Sequence, residues 1–162
     1  METAMNKSPA SSQSGQKIDQ RAGKYLSFRV AKEDFAIDVH NVREIMGIQE
    51  ITAVPQSPVY VKGVMNLRGK AIPVIDLRLK FGLPDTEYTP RTCIVVVQVE
   101  TMDGQILMGT IVDGVSEVLN LQSADIANTP DFGDGTAAPY ILGMAKIKGK
   151  VKILLDINML LT

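Results

Sequence analysis

The hydrophobic pattern along the chain is one of short strands. Tyr25, Phe28 and Val30 alternate loosely with polar neighbours, and Phe35 to Val39 resumes after the polar Lys32-Glu33-Asp34 turn. A period near two predicts half-buried strands. Val42 to Ile51 continues extended until Pro55-Gln56-Ser57-Pro58 breaks it. Gly63 to Leu67 and Lys70 to Ile75 then form a predicted hairpin around Arg68-Gly69, where glycine supplies a positive φ at no steric cost. Asp76 is placed to N-cap a short helix, Leu77 to Phe81, which Gly82-Leu83-Pro84 stops. In the second half, Thr92 to Val99 and Ile106 to Val112 read as strands joined through Asp103-Gly104, and Val115 to Leu121 as a third. Pro130 breaks the chain as Pro55 did. A second hairpin turns at Lys148-Gly149, and Asp156 caps a last helical turn, Ile157 to Leu161.

These elements repeat. YVKGVMNLRGKAIPVIDLRLKF at 60–81 and YILGMAKIKGKVKILLDINMLL at 140–161 align without a gap at an offset of eighty positions. Tyr60, Gly63, Gly69, Lys70 and Asp76 match Tyr140, Gly143, Gly149, Lys150 and Asp156. Val42-Arg43-Glu44-Ile45 and Val115-Ser116-Glu117-Val118 are a further matched pair. Two copies are too few for a solenoid. They predict two small related β units, at about 25–84 and 92–162, within one body spanning 23–162, with exchange of strands between them left open. Short strands with Gly and Pro turns favour small barrels, because closure removes sheet edges. The expected architecture is mainly β: two small barrels sharing an apolar seam.

The two hairpins differ in one respect. Lys146, Lys148, Lys150 and Lys152 alternate with Ile147, Val151 and Ile153, which predicts a wet face and a core face. Ile72 stands where Lys152 does, so the corresponding face of the first hairpin is expected to contact the other barrel or a partner, packing against the other barrel being favoured.

Composition narrows the function. The formal net charge of -1 gives no global attraction to nucleic acid or anionic lipid. A single cysteine, Cys93, excludes an internal disulfide, and no Cys/His spacing suggests zinc. The N-terminus METAMNKSPASSQSGQ has no apolar core of a signal peptide, and the strongest apolar run, Cys93 to Val97, is too short to cross a bilayer. Residues 1–22 hold almost no large apolar side chains and are expected to be disordered. The expectation is a cytoplasmic protein with no cofactor and no membrane insertion.

No residue set suggests catalysis. His40 is the only histidine and lies in a turn-like stretch, fitting an exposed or capping role. Asp76 and Asp156 are better explained as helix caps than as a carboxylate pair. Gly133-Asp134-Gly135-Thr136 mimics a dinucleotide loop but neither follows a strand nor opens a helix. The second hairpin's lysines lack interleaved aromatics, which argues against a nucleic-acid surface. Arg68, at a hairpin tip, either solubilises that tip or reads a partner carboxylate.

VKGVMNLRGKAIPVIDLRLKF at 61–81 resembles the signature segment of the CheW family, the coupling proteins of bacterial chemotaxis. VREIMGIQEITAVPQSP, IVDGVSEVLNL and LLDINMLL resemble further family segments in order, so the likeness covers residues 24–162. It implies two five-stranded, SH3-like barrels around a shared core, and a non-enzymatic adaptor. The implied partners are the cytoplasmic tips of methyl-accepting chemoreceptors and the regulatory domain of the histidine kinase CheA, so the adaptor would be recruited to membrane-associated receptor arrays. Val42, Arg68, Val115 and Val118 match family positions tied to receptor coupling, and Glu44 and Gly63 positions tied to the kinase or to ternary assembly. With 162 residues there is no room for a kinase or a fused receiver domain, so a stand-alone coupler is expected.

Overall fold

The structure, a computed structural model, describes residues 19–130 and 138–162. The tail expected to be disordered and the Gly133 loop fall largely outside the described residues. The strands are β1 (Gly23–Val30), β2 (Glu33–Asp38), β3 (Val42–Gly47), β4 (Val61–Leu67), β5 (Lys70–Asp76), β6 (Cys93–Thr101), β7 (Gly104–Val112), β8 (Gly114–Leu121), β9 (Ile126–Ala127), β10 (Ile141–Ile147) and β11 (Lys150–Leu155). Two short helices, α1 (Leu77–Lys80) and α2 (Ile157–Leu161), follow the two matched hairpins.

The strands form two sheets. One runs β9-β10-β11-β2-β1-β8 and the other β3-β6-β7-β5-β4. The first therefore has six strands rather than the expected five, because the two-residue β9 adds to its edge. In the second sheet that place is held by a single bridge between Thr52 and Val64. The hairpin β1–β2, from the start of the chain, lies in the sheet of the second repeat, and β6–β7 lies in the sheet of the first. Both joins to the matched hairpins are parallel, β2 with β11 and β7 with β5. Each half of the chain lends its opening hairpin to the other.

This exchange explains why Cys93 to Val97 is continuously apolar. Ile94 and Val96 point into a cluster with Met65, Ile72, Val74 and Ile111 inside their own sheet. Val95, Val97 and Val99 point the other way, into a central cluster with Leu26, Phe28, Ile37, Leu77 and Leu155. A strand buried on both faces needs no polar alternation. Leu154 and Leu155 divide in the same manner between a third cluster, around Tyr25 and Leu121, and the central one. Burying each such side chain is worth about 2 kcal/mol. Stacked rings thread the seam: Phe28 on Phe35 at 6.1 Å, Phe35 on Phe81 at 5.0 Å and Phe81 on Tyr140 at 6.1 Å.

The duplication extends to single hydrogen bonds. Asp76 N donates to Tyr60 O and Asp156 N to Tyr140 O, each at 2.8 Å. Both strand pairs carry an irregularity just before the matched glycine, at Val61/Gly63 and Ile141/Gly143. Asp76 accepts from the backbone N–H groups of Arg78 and Leu79, and Asp156 from those of Asn158 and Met159, so both are helix caps. At the tips, Arg68 (φ 50) and Gly69 (φ 87) are both left-handed, as are Lys148 (φ 53) and Gly149 (φ 80). Two left-handed central residues make a type I′ turn, so Arg68 itself, and not only the glycine, adopts the unusual backbone.

The expected wet face of the second hairpin is partly reversed. Lys146, Lys148 and Lys150 are exposed, but Lys152 is buried and Val151 is 49% exposed. Lys152 lies two residues before the buried Leu154 and shares its inward face. It remains there because its Nζ donates to Ser27 Oγ at 3.1 Å and approaches Asp34 Oδ2 at 3.6 Å, charge partners the local pattern does not reveal. Ile72 is buried, but inside its own sheet's cluster with Met65, Val74 and Ile94 and not against the other barrel as expected.

Candidate functional site

Arg68 extends from its turn toward the edge strand β3. Its Nη2 lies 2.7 Å from Glu44 Oε1, while the guanidinium side remains 71% exposed. The turn below is fixed by Asn66 Oδ1, which accepts from Gly69 N at 2.8 Å. Glu44 reaches the tip because β3 is irregular between Val42 and Glu44, where Arg43 is the extra residue opposite β6. Such a bulge re-aims the side chains around it. Arg43 turns aside to donate to Gln98 Oε1 and His40 O, each at 2.8 Å. Arg43, Glu44, Arg68, Gln98, Ile106 and Leu107 border a cleft of about 440 Å³. A polar rim over apolar side chains suits a protein partner better than a small substrate. An ion pair this exposed adds at most about 0.5 kcal/mol to stability, so its position matters more than its energy.

The remaining candidates are spread across both sheets. Val42 opens β3 and Val115 lies near the start of β8; each is half-buried against the central cluster. Val118, three residues further along β8, is 56% exposed. The structure thus pairs Arg68 with Glu44, sets Val42 and Val115 on the same seam, and leaves Val118 on the outer face. Gly63 offers no contact surface. It is buried at φ 144, and a Cβ built there would meet Thr52 O at 2.0 Å. Its task is to let the segment carrying Thr52 approach β4, and Thr52 and Val64 exchange backbone hydrogen bonds of 2.8 and 2.9 Å.

Sequence reasoning missed Arg43, Gln98, Ile106 and Leu107. Gln98, Ile106 and Leu107 reach the cleft only because β6 and β7 cross into the first repeat's sheet, and Arg43 through the bulge in β3; the one local sign was the apolar Ile106-Leu107 pair. His40 is exposed, with Nδ1 2.8 Å from Asp38 Oδ1. Burial pushes the Cys93 thiol up, which disfavours the reactive thiolate. Burial, and then the neighbouring Asp76 carboxylate, raise the Tyr88 phenol well above its ordinary range. Among the described residues no group of three or more His, Cys, Asp or Glu could hold a metal ion, and no helix is long and apolar enough to cross a membrane.

The two paired β units, joined by exchanged hairpins around one core, form a two-barrel architecture. The CheW-like domain family matches residues 24–162. The chain belongs to the CheW family. The chemotaxis protein CheW of Klebsiella aerogenes is 37% identical over 138 residues, covering 85% of this chain and 81% of that protein. That of Rhizobium meliloti is 34% identical, covering 82% and 83%. The crystal structure of the scaffolding protein TtCheW from Thermoanaerobacter tengcongensis superposes with a TM-score of 0.74 at 30% identity, covering 86% of this chain and 92% of that one. The SH3-like architecture expected from the sequence is thereby confirmed.

Proposed function

We propose that this chain is a non-enzymatic cytoplasmic adaptor that couples methyl-accepting chemoreceptors to the histidine kinase CheA in membrane-associated arrays. The observation that carries the reading is the Arg68–Glu44 pair: an exposed, left-handed arginine held over a cleft by a carboxylate from another strand. The turn does not require arginine at that position, so the residue is assigned to what its guanidinium meets. Val42, Arg68, Val115 and Val118 serve the receptor tip, whose apolar helix face fits Val42 and Val115 on the seam and the exposed Val118. Glu44 and Gly63 serve the kinase regulatory domain, Gly63 by shaping the segment around Thr52. An adaptor of this kind shifts kinase activity only by its difference in affinity for the kinase's conformations.

The test is a pull-down of the purified protein with a CheA regulatory domain and, separately, with a receptor cytoplasmic fragment. Val118→Asp should lose the receptor and keep the kinase. Arg68→Ala and Glu44→Ala share one ion pair, so the double variant is needed to separate direct contact from loss of the pair. Folded wild-type protein that captured neither partner would sink the reading.

A further inference from the structure

Away from that cleft lies a trough that is basic on a chain whose formal net charge is -1. A concavity of about 230 Å³ is bordered by Arg29, Lys148, Lys150 and Lys152, with Asp34 and Glu117 as its carboxylates. It adjoins a larger one of about 610 Å³ that shares Arg29 and Ser116 and adds Arg91, Cys93 and Val115. The single carboxylate added there, Asp113, is already engaged: its Oδ2 takes Arg78 Nη2 and Ala31 N, each at 2.6 Å. The trough runs across β8, β1, β2 and β11 along one cross-strand row, in which Gly114 faces Arg29, Arg29 faces Asp34, and Asp34 faces Lys152.

The charges in this row are poorly satisfied. Elsewhere the described Arg–carboxylate pairs close to 2.7, 2.7 and 2.6 Å. Here Arg29 stands 3.5 Å and Lys152 3.6 Å from the same Asp34, the two longest ion pairs described. One carboxylate shared between two cations neutralises only one of them. Arg91 makes no side-chain hydrogen bond among the described residues. Lys152, with its side chain only 7% exposed, is costly to keep charged without a full counter-charge. The lining is mostly polar, with Ser116 common to both concavities; Val115 borders the larger one and Ile147 the smaller.

We propose that this trough is a second docking surface, taking an acidic segment of a partner protein whose carboxylates meet Arg29, Lys148, Lys150 and Arg91 while an apolar side chain seats on Ile147. The cations run along an extended row instead of converging on one point, which suits a row of carboxylates better than a single small anion. Charges at such a rim set on-rate and salt sensitivity before they set packing.

The full-length protein is titrated by fluorescence anisotropy with a labelled helical peptide carrying glutamates on one face and leucines on the other. A second peptide has every glutamate replaced by glutamine. The acidic peptide should bind, and should lose about tenfold in affinity between about 0.05 M and about 0.5 M salt, where screening shortens to a few ångströms. Lys148→Glu with Lys150→Glu, both exposed and outside the core, should weaken it by about tenfold more and flatten the salt dependence. Circular dichroism of the double variant matching wild type establishes that it is folded. Equal binding of the two peptides, or a folded double variant that binds as wild type does, overturns the proposal. So does tighter binding to duplex DNA or to phosphatidylserine vesicles than to the peptide, which would assign the trough to phosphate. The titration uses neither the receptor nor CheA, so its outcome is separate from that of the adaptor reading.

Discussion

The two hairpins at 60–81 and 140–161 share a backbone and differ in what surrounds them. Each has the same type I′ turn, the same irregularity before a glycine and the same aspartate cap. Around the first, Ile72 fills an apolar barrel, Arg68 is bound by Glu44, and Gly63 lies directly against Thr52. Around the second, Lys152 occupies the position of Ile72 and a strap from the chain's N-terminal side crosses the sheet edge. In that strap Arg21 clasps Asp19 at 2.7 Å and donates to Leu142 O at 2.9 Å, just before Gly143. Duplication preserved what the backbone geometry demands and left the side chains free to take separate tasks: an ion-paired rim on one copy, a basic trough on the other.

Transplanting the second copy's lysine into the first is the most severe way to break this comparison. Ile72→Lys puts a charge into a barrel with no carboxylate equivalent to Asp34, and should cost about 4 kcal/mol in urea unfolding. Gly63→Ala comes next, at about 3 kcal/mol, because the clash is with backbone that cannot swing away. Gly143→Ala should cost less, since its built Cβ meets Ala127 O and Arg21 Nη1 at 2.7 Å, the latter the end of a flexible side chain. Equal losses at the two glycines would show that the copies are not distinguished by their surroundings. Lys152→Met should cost about 2 kcal/mol, less than breaking an isolated buried pair, because Asp34 keeps Arg29.

Two smaller effects sharpen the comparison. Arg68→Asn should leave stability unchanged or raise it by about 0.5 kcal/mol, since Asn-Gly is favoured in a type I′ turn, while partner capture falls. A variant that lost stability and capture together would make Arg68 a structural residue. For the strap, the hydrogen bonds from Arg21 lower the Asp19 carboxyl to about 2. A carboxylate depressed on folding lends its stability above the unfolded value and loses it as pH falls through the folded one. The strap should therefore be intact at neutral pH and release only as pH drops from about 4 toward about 2. An NMR titration of Asp19 should show this, and Arg21→Ala should return it to the ordinary carboxylate range.

Most local features were readable in the sequence because their causes are local. A turn glycine, an aspartate ahead of a helical turn and a proline break act within a few residues of themselves. The repeat supplied the rest of the architecture, since two matched hairpins imply two matched units. What escaped has causes distant in sequence. The inward turn of Lys152 depends on Ser27, 125 residues away, and on Asp34. The Arg68–Glu44 contact depends on a bulge in β3, which the pattern Val42-Arg43-Glu44 does not signal. The family likeness placed Arg68 and Glu44 among functional positions without revealing that they touch. Likewise the apolar run Cys93 to Val97 excludes a membrane span by its length, but does not show that the strand is buried on both faces or that it joins a sheet of the other half of the chain.

The reciprocal loan of hairpins has a mechanical consequence. The chain enters the first sheet, leaves it after β2 for the second, and returns at Asp113, so the two units are joined by two covalent crossings as well as by a common core. Levering the two sheets apart would strain both crossings and open the core they share. Partners held on the two sheets would be linked through two chain crossings and a common core in place of a single linker.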